Sequence, residues 1–359
     1  SEEYDLLHFN LYGKVLSGQI ERKERKKRML SWLNSSLGEI IGKKYVSEYF
    51  PEKSKKKAKE LVEDIINVFR DRLDNLEWME ESTKKKAIKK LDSMNVKIGY
   101  PDKWLDYSNL DITEDSFIQN ILNSNKFEWD IELSRMNKEV DKDKWEMYPQ
   151  EINAYYHPEL NEIVFPAAIL EFPFFSEKAD DPINFGGIGA VIGHEITHGF
   201  DDQGKKYDYK GNLNEWWNEN DNIKYTKRAK KIIKQFDDCK ILDKNVNGEL
   251  TQGENIADLG GLKIAYYALV NNLERKNKNI TAEIDGFSMA QRFFISWAQV
   301  WRSNVREKEQ LKRLINDPHS PNELRINEPL KNMPEFFEAF DIPLNSKMRR
   351  DEKDIIVIW

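Results

Sequence analysis

The sequence predicts a mainly helical α+β fold in two parts that meet near residues 110–120. Three observations carry this expectation. Lysine-rich stretches with apolar residues at helical spacing fill most of the first ~115 positions. Two short β-type runs flank a turn at His157-Pro158 and Asn161. Apolar, glycine-containing helical tracts then continue to about residue 305. A chain of 359 residues is long enough for about two domains, each with its own core.

The elements follow in order. The run Glu21–Arg28, ERKERKKR, and the lysines of 53–59 invite a nucleic-acid reading, because basic runs neutralise phosphates. Interleaved glutamates, the absence of an aromatic stacking pattern and a net charge of −7 favour solvated helix faces instead. Behind Pro51, Leu61, Ile65, Val68, Phe69, Leu73 and Leu76 recur on one face and predict a core-facing helix. A further helix is expected over Glu81–Met94, stopping before Gly99-Tyr100-Pro101. Past Leu110 the composition changes. Strands are expected at Glu151–Tyr156 and Glu162–Phe165, then an apolar glycine-rich segment, Phe185–Phe200. A polar loop carries Trp216 and Trp217, read as packing residues, and helices are expected over Gly253–Leu273 and Met289–Val305.

Composition narrows the chemistry. No apolar stretch approaches the ~20 residues that a membrane span needs, and Ser1–Asp5 shows no basic-then-apolar signal pattern. The single cysteine, Cys239, excludes an internal disulfide framework and a multi-cysteine zinc site; it reads as a free thiol on a polar helix. Five histidines are available, of which His8 and His157 read as ordinary surface or loop residues.

Two of the others form His194-Glu195-Ile196-Thr197-His198, the HExxH pattern. On a helix, positions i and i+4 share a face, so both imidazoles reach one ion while Glu195 is rotated toward a water on it. Ile188, Val191, Ile192 and Ile196 make that helix apolar enough to be buried. A catalytic zinc needs a third protein ligand and an open position. A third histidine six residues after His198 is excluded by Gly204, and Asp201 stands where that arrangement has glycine. The other solution is a carboxylate from a later helix. Glu254 and Asp258 in GENIADLGG, 253–261, are spaced i and i+4, so Glu254 can close the site while Asp258 accepts from a liganding imidazole.

VIGHEITHGFDDQG at 191–204 with GENIADLGG at 253–261 resembles the neprilysin and endothelin-converting-enzyme family of zinc metallopeptidases. Further similar segments are YGKVLSG at 12–18, Ile98–Pro101, Asn153–Tyr156, Ile163–Ala167, Ala298–Trp301 and His319-Ser320-Pro321 with Arg325. The resemblance spans almost the whole chain in order. It implies a thermolysin-like catalytic domain over 116–359, preceded over 1–115 by part of a helical capping domain. It implies one Zn2+ per chain held by His194, His198 and Glu254, with Glu195 as general base and Asp258 behind a ligand. It implies that His319 stabilises the tetrahedral intermediate and Arg325 contacts a substrate carbonyl. Asn153 and Ala154 match the edge-strand pair that holds substrate backbone. Ile169, Phe174, Val300 and Trp301 match the pocket for the side chain after the scissile bond; Asp202 receives no catalytic role.

The implied activity is endopeptidase cleavage of oligopeptides, on the amino side of hydrophobic residues, by Glu195-assisted attack of a zinc-bound water. A non-catalytic peptide-binding relative would have lost Glu195, Glu254 or His319, and all three are present. Family members are much longer, so the chain reads as a fragment, a natural short form, or one subunit whose partner supplies a separate N-terminal half. The cysteine-poor, lysine-, asparagine- and isoleucine-rich composition resembles bacterial oligopeptidases of the family, which implies a cytoplasmic setting; a secreted or lipid-anchored form is the alternative.

Overall fold

The computed structural model describes residues 2–359. Helix α1, Glu2–His8, runs on through wider π-type turns at Phe9–Leu16. Helix α2, Arg25–Tyr49, bends at Leu37, beside Gly38, where the ring of Tyr148 leaves no room for a side chain. Pro51 precedes α3, Glu52–Asp74, and the expected stripe of Leu61, Ile65, Val68, Phe69 and Leu73 is buried, with most lysines on the wet face. Helix α4 covers Glu81–Asp92.

The next element departs from the sequence expectation. Asn95–Gly99 is a strand, β1, inside a region that reads as helical. Five residues are too few to show a period of two between two helices, and Gly99 ends the strand with φ +83°. Helix α5, Phe117–Arg135, starts at Ser116, whose side chain accepts from the Gln119 amide.

Strands β2, Tyr155–His157, and β3, Glu162–Pro166, form the expected hairpin around Asn161 at φ +46°. The first strand is shorter than predicted, since Asn153 and Ala154 lie just before it. Strand β3 is central, antiparallel to β2 and parallel to β1, with Lys97 opposite Val164 and His157 opposite Glu162. Because β1 and β3 are buried partners, segments on either side of residue 115 share one sheet.

Then come α6, Asp181–Asn184, π-type turns at Phe185–Gly189, and α7, Ala190–His198. They are followed by α8, Glu219–Asp237, α9, Gln252–Arg275, and α10, Met289–Val300. Helices α11, Glu307–Asn316, α12, Asn322–Leu330, and α13, Pro334–Ala339, complete the set. Helix α10 stops five residues earlier than the spacing suggests. Cys239 lies beyond the end of α8 rather than on it, and burial pushes its thiol up to about 11. Trp216 and Trp217 are packing residues as expected, both buried.

The core is continuous from Phe50 to Trp359. Trp359 sits among Phe69, Trp78, Phe200, Trp217 and Tyr225, and the Trp78 indole donates to the Ile358 carbonyl at 3.0 Å. No helix among the described residues is long and apolar enough to cross a membrane.

Lys97 and Glu162, 8% and 0% exposed, pair at 2.7 Å across β1 and β3, and Lys97 also donates to the Lys144 carbonyl at 2.7 Å. Removing one partner of a buried pair leaves an uncompensated charge. Lys97→Met is therefore expected to destabilise the chain by about 3–5 kcal/mol in urea unfolding, with Glu162→Leu in the same chain restoring most of it. A loss under about 1 kcal/mol would show that the pair does not hold the sheet.

Candidate active site

The site begins with how closely two helices approach. A Cβ on Gly193 of α7 would lie 2.5 Å from the Gly261 carbonyl of α9, and one on Gly261 would lie 2.2 Å from the His194 amide. Only glycine permits this backbone contact. Buried Val191, Ile192 and Ile196 hold α7 in the core, and Ile256, Leu259 and Leu262 do the same for α9. The polar residues of both helices therefore face each other along the seam between them.

On that seam the Nε2 atoms of His194 and His198 lie 2.9 Å apart. Each ring is held from behind by a carboxylate: His194 Nδ1 is 2.8 Å from Asp258 Oδ1, and His198 Nδ1 is 2.7 Å from Asp201 Oδ2. A ring that donates its Nδ1 proton to a carboxylate presents a bare lone pair at Nε2. Glu254 Oε2 lies 3.2 Å from the first Nε2 and Oε1 lies 3.6 Å from the second. With both rings in that tautomer, three acceptors converge on one point, and Glu254 Oε2 is buried without a hydrogen-bond donor.

The donor set suits Zn2+. Four ligands about 2.05 Å from zinc in a tetrahedron stand about 3.3 Å apart, and the three separations here bracket that value. Charge argues the same way. Burial works to lower the His194 pKa, but Asp258 and Glu254 outweigh it and push the ring up to about 10. Burial would raise the Glu254 carboxyl, yet the imidazoles of His198, His194 and His319 hold it far below the usual carboxylate range. The carboxylates thus favour positive charge at the imidazoles, and the imidazoles keep Glu254 ionised, a setting that suits a bound cation. Glu195 lies next to this group, 7% exposed, with its pKa raised by burial.

A cleft of about 490 Å³ opens onto these residues. Its lining includes Asn153, Ala154, Ile169, Phe174, Trp301 and His319, all anticipated from sequence. Val300 is not among the lining residues; it ends α10 and packs against the core, while Trp301 continues into the cleft. Val191 lines the cleft without having been anticipated, although its position three and four residues before His194 and Glu195 puts it on their face. Asp201 is the other omission, and its spacing three residues after His198 was the available signal. Asp202, its neighbour in the sequence, accepts from the Gln203 side chain instead, and its Oδ1 has no hydrogen-bond partner.

Arg325 was expected at a substrate carbonyl. It lines the cleft, but its Nε and Nη2 each donate to Asp258 at 2.7 Å, and its guanidinium lies 3.9 Å from the centre of the Trp301 ring. His319, half exposed, places Nε2 3.2 Å from Glu254 Oε2, while Asp317 holds its Nδ1 at 2.8 Å.

Known proteins match the chain over most of its length. Two family models, both described as peptidase family M13, match residues 1–101 and 153–356. The chain belongs to peptidase family M13. An endothelin-converting enzyme homolog of Locusta migratoria is 40% identical over 322 residues, covering 88% of this chain and 44% of that protein. The M13 fold is shared with the zinc metalloprotease Zmp1 of Mycobacterium tuberculosis, in an inhibitor complex, at a TM-score of 0.95. That structure is 41% identical and is matched over 100% of this chain and 55% of its own. PepO from Lactobacillus rhamnosis HN001 gives 0.88 at 32% identity, over 97% of this chain and 54% of its own. The chain thus spans less than half the length of the curated relatives it matches.

Carboxylates behind a ligating imidazole set its tautomer and basicity. Asp201→Asn and Asp258→Asn are each expected to weaken zinc binding about 10- to 100-fold, read by competition with a chromophoric chelator. Unchanged affinity in both would mean that the imidazoles are oriented by something else.

Proposed function

We propose that this M13 chain carries the catalytic site of a zinc-dependent endopeptidase that hydrolyses oligopeptides on the amino side of hydrophobic residues. The observation that carries the reading is the convergence of His194 Nε2, His198 Nε2 and a Glu254 oxygen, each imidazole backed by its own carboxylate. Zinc held there would act as a Lewis acid and lower the pKa of coordinated water toward about 7.

The chain's own residues do the rest. Glu195, whose burial raises its proton affinity, takes a proton from the attacking water and returns it to the departing amine. His319, oriented by Asp317, donates an N–H toward the carbonyl oxygen as negative charge builds there. Arg325 adds a positive charge beside the cleft while fixing Asp258. Asn153 and Ala154 lead into β2, whose outer edge is unpaired in the sheet, so an extended peptide can add along it by backbone hydrogen bonds. Ile169, Phe174, Val191 and Trp301 offer an apolar pocket, which supports selection of a bulky apolar side chain after the scissile bond.

For the domain division we propose a catalytic unit that includes α3, α4 and β1 as well as the region after residue 115. The β1–β3 ladder and the shared core support this, leaving α1, α2 and α5 to the cap portion. That portion exposes Leu7, Leu11, Trp32 and Trp129, which supports a further surface packing on it. The relatives hold the matching region within one longer chain, and this gives no support to a separately made N-terminal half. A cytoplasmic setting is part of this reading, supported by the one cysteine being free.

Two measurements test the proposal. Glu195→Gln is expected to keep its zinc and lose about 10²- to 10⁴-fold in peptide hydrolysis; a variant as fast as wild type would refute the role of Glu195. In a peptide series varied only after the scissile bond, Phe and Leu are expected to exceed Gly and Asp at least about tenfold in kcat/KM. Equal rates across the series would remove the apolar pocket from the account.

A further inference from the structure

Lys90, on α4, is 1% exposed, yet its ammonium has no partner carboxylate in direct contact; Asp201 and Asp208 act on it only through space. Burying an ammonium is costly, and a methionine of similar length would fill the same space without that cost. The surroundings show what the charge is used for. Nζ donates to the Gly204 carbonyl at 2.7 Å and to the Tyr207 carbonyl at 2.8 Å, and it lies 5.6–5.9 Å from the ring centres of Phe200, Tyr156 and Trp216. Burial pushes its pKa down to about 7, against the pull of Asp201 and Asp208. Charged or neutral, an amine has enough N–H groups to serve both carbonyls.

The two carbonyls belong to the loop that leaves the end of α7. Within that loop the Gln203 and Gly204 amides donate to Asp201 Oδ1 at 2.8 and 2.7 Å, while Asp201 Oδ2 meets His198 Nδ1. Gly204 lies so near the end of α7 that a Cβ there would be 1.8 Å from the His198 carbonyl. The loop therefore presents its amides to Asp201 on one side and its carbonyls to Lys90 on the other. Lys90 is also tied to the β2–β3 hairpin, because Asn161 Nδ2 donates to its carbonyl at 2.9 Å and Tyr156 donates to Asn161 Oδ1 at 3.1 Å.

We infer that Lys90 is a positioning residue for the zinc site, clamping the 201–207 loop so that Asp201 holds His198 in its ligating tautomer and orientation. The inference rests on the zinc-site reading above and extends it to a residue on a helix that contributes nothing to the cleft lining.

The test is a double-mutant cycle read by zinc affinity, at a temperature where circular dichroism shows every variant folded. Lys90→Met keeps the stem in its aromatic surroundings and removes the donors. It is expected to weaken zinc binding about tenfold, to change by less than about twofold when added to Asp201→Asn, and to cost its full tenfold when added to Asp258→Asn. A plug that only stabilises the fold would give the same loss in both backgrounds. Zinc affinity equal to wild type, or a tenfold loss persisting in Asp201→Asn, overturns the inference. If Lys90→Met does not fold, Asn161→Gly serves in its place. It keeps the positive φ and frees the Lys90 carbonyl, and a zinc loss that vanishes in Asp201→Asn is again required. Wild-type chain that takes up no zinc would instead overturn the zinc-site reading itself.

Discussion

Everything at this site depends on two glycines that let helices α7 and α9 touch backbone to backbone. Gly193 and Gly261 leave no room for a side chain between the helices: an added Cβ would stand 2.5 Å from a carbonyl at the first and 2.2 Å from an amide at the second. Ordinary helix packing keeps axes about 8–10 Å apart, which suits side chains that interdigitate. Here the polar side chains within two turns of each glycine must reach one point, and close approach replaces length of side chain. His194 follows Gly193 directly, and Asp258 and Glu254 lie three and seven residues before Gly261. The contact thus fixes a ligand on each helix together with the carboxylate that orients the first.

The electrostatic cost of this arrangement is high, and it explains the residues that surround it. Glu195, Asp201, Glu254 and Asp258 bring four carboxylates into a small volume, three of them under a tenth exposed. One guanidinium, that of buried Arg325, answers them from within. With Arg325 engaged twice by Asp258, the Glu254 carboxylate beside the two imidazoles is left for a divalent cation to balance. Arg325 therefore serves position as well as charge, since it holds the carboxylate that holds His194.

Much of this was legible in the residues. The i, i+4 pairs His194/His198 and Glu254/Asp258 named the ligand set, and the apolar residues between them announced buried helices. What sequence did not reveal shares a physical cause: it depends on contacts far apart in the chain or on very short elements. Strand β1 is five residues long and acquires its identity from pairing with β3, some sixty residues later. Val300, placed at the pocket by resemblance, is the last residue of α10 and packs against the core, while Trp301 lines the cleft. The resemblance places Arg325 at a substrate carbonyl, whereas its two bonds to Asp258 come from the docking of α12 against α9. Asp201 was the most accessible omission, because its partner His198 is only three residues away.

The two imidazoles are held by different parts of the fold. His194 takes its orientation from Asp258, on the opposite helix, so any slide of α9 along α7 shifts both that bond and the Glu254 oxygen. His198 takes its orientation from Asp201, on its own following loop, and that loop is hydrogen-bonded by Lys90 of α4, which is itself tied to the β2–β3 hairpin. A disturbance of the helix seam should therefore leave His198 correctly turned but facing a displaced partner. A disturbance of the loop should leave the seam intact and free one ring to rotate. Convergence of three donors on one point requires both supports together. This is why α4, before residue 115, bears on the geometry of the HExxH helix.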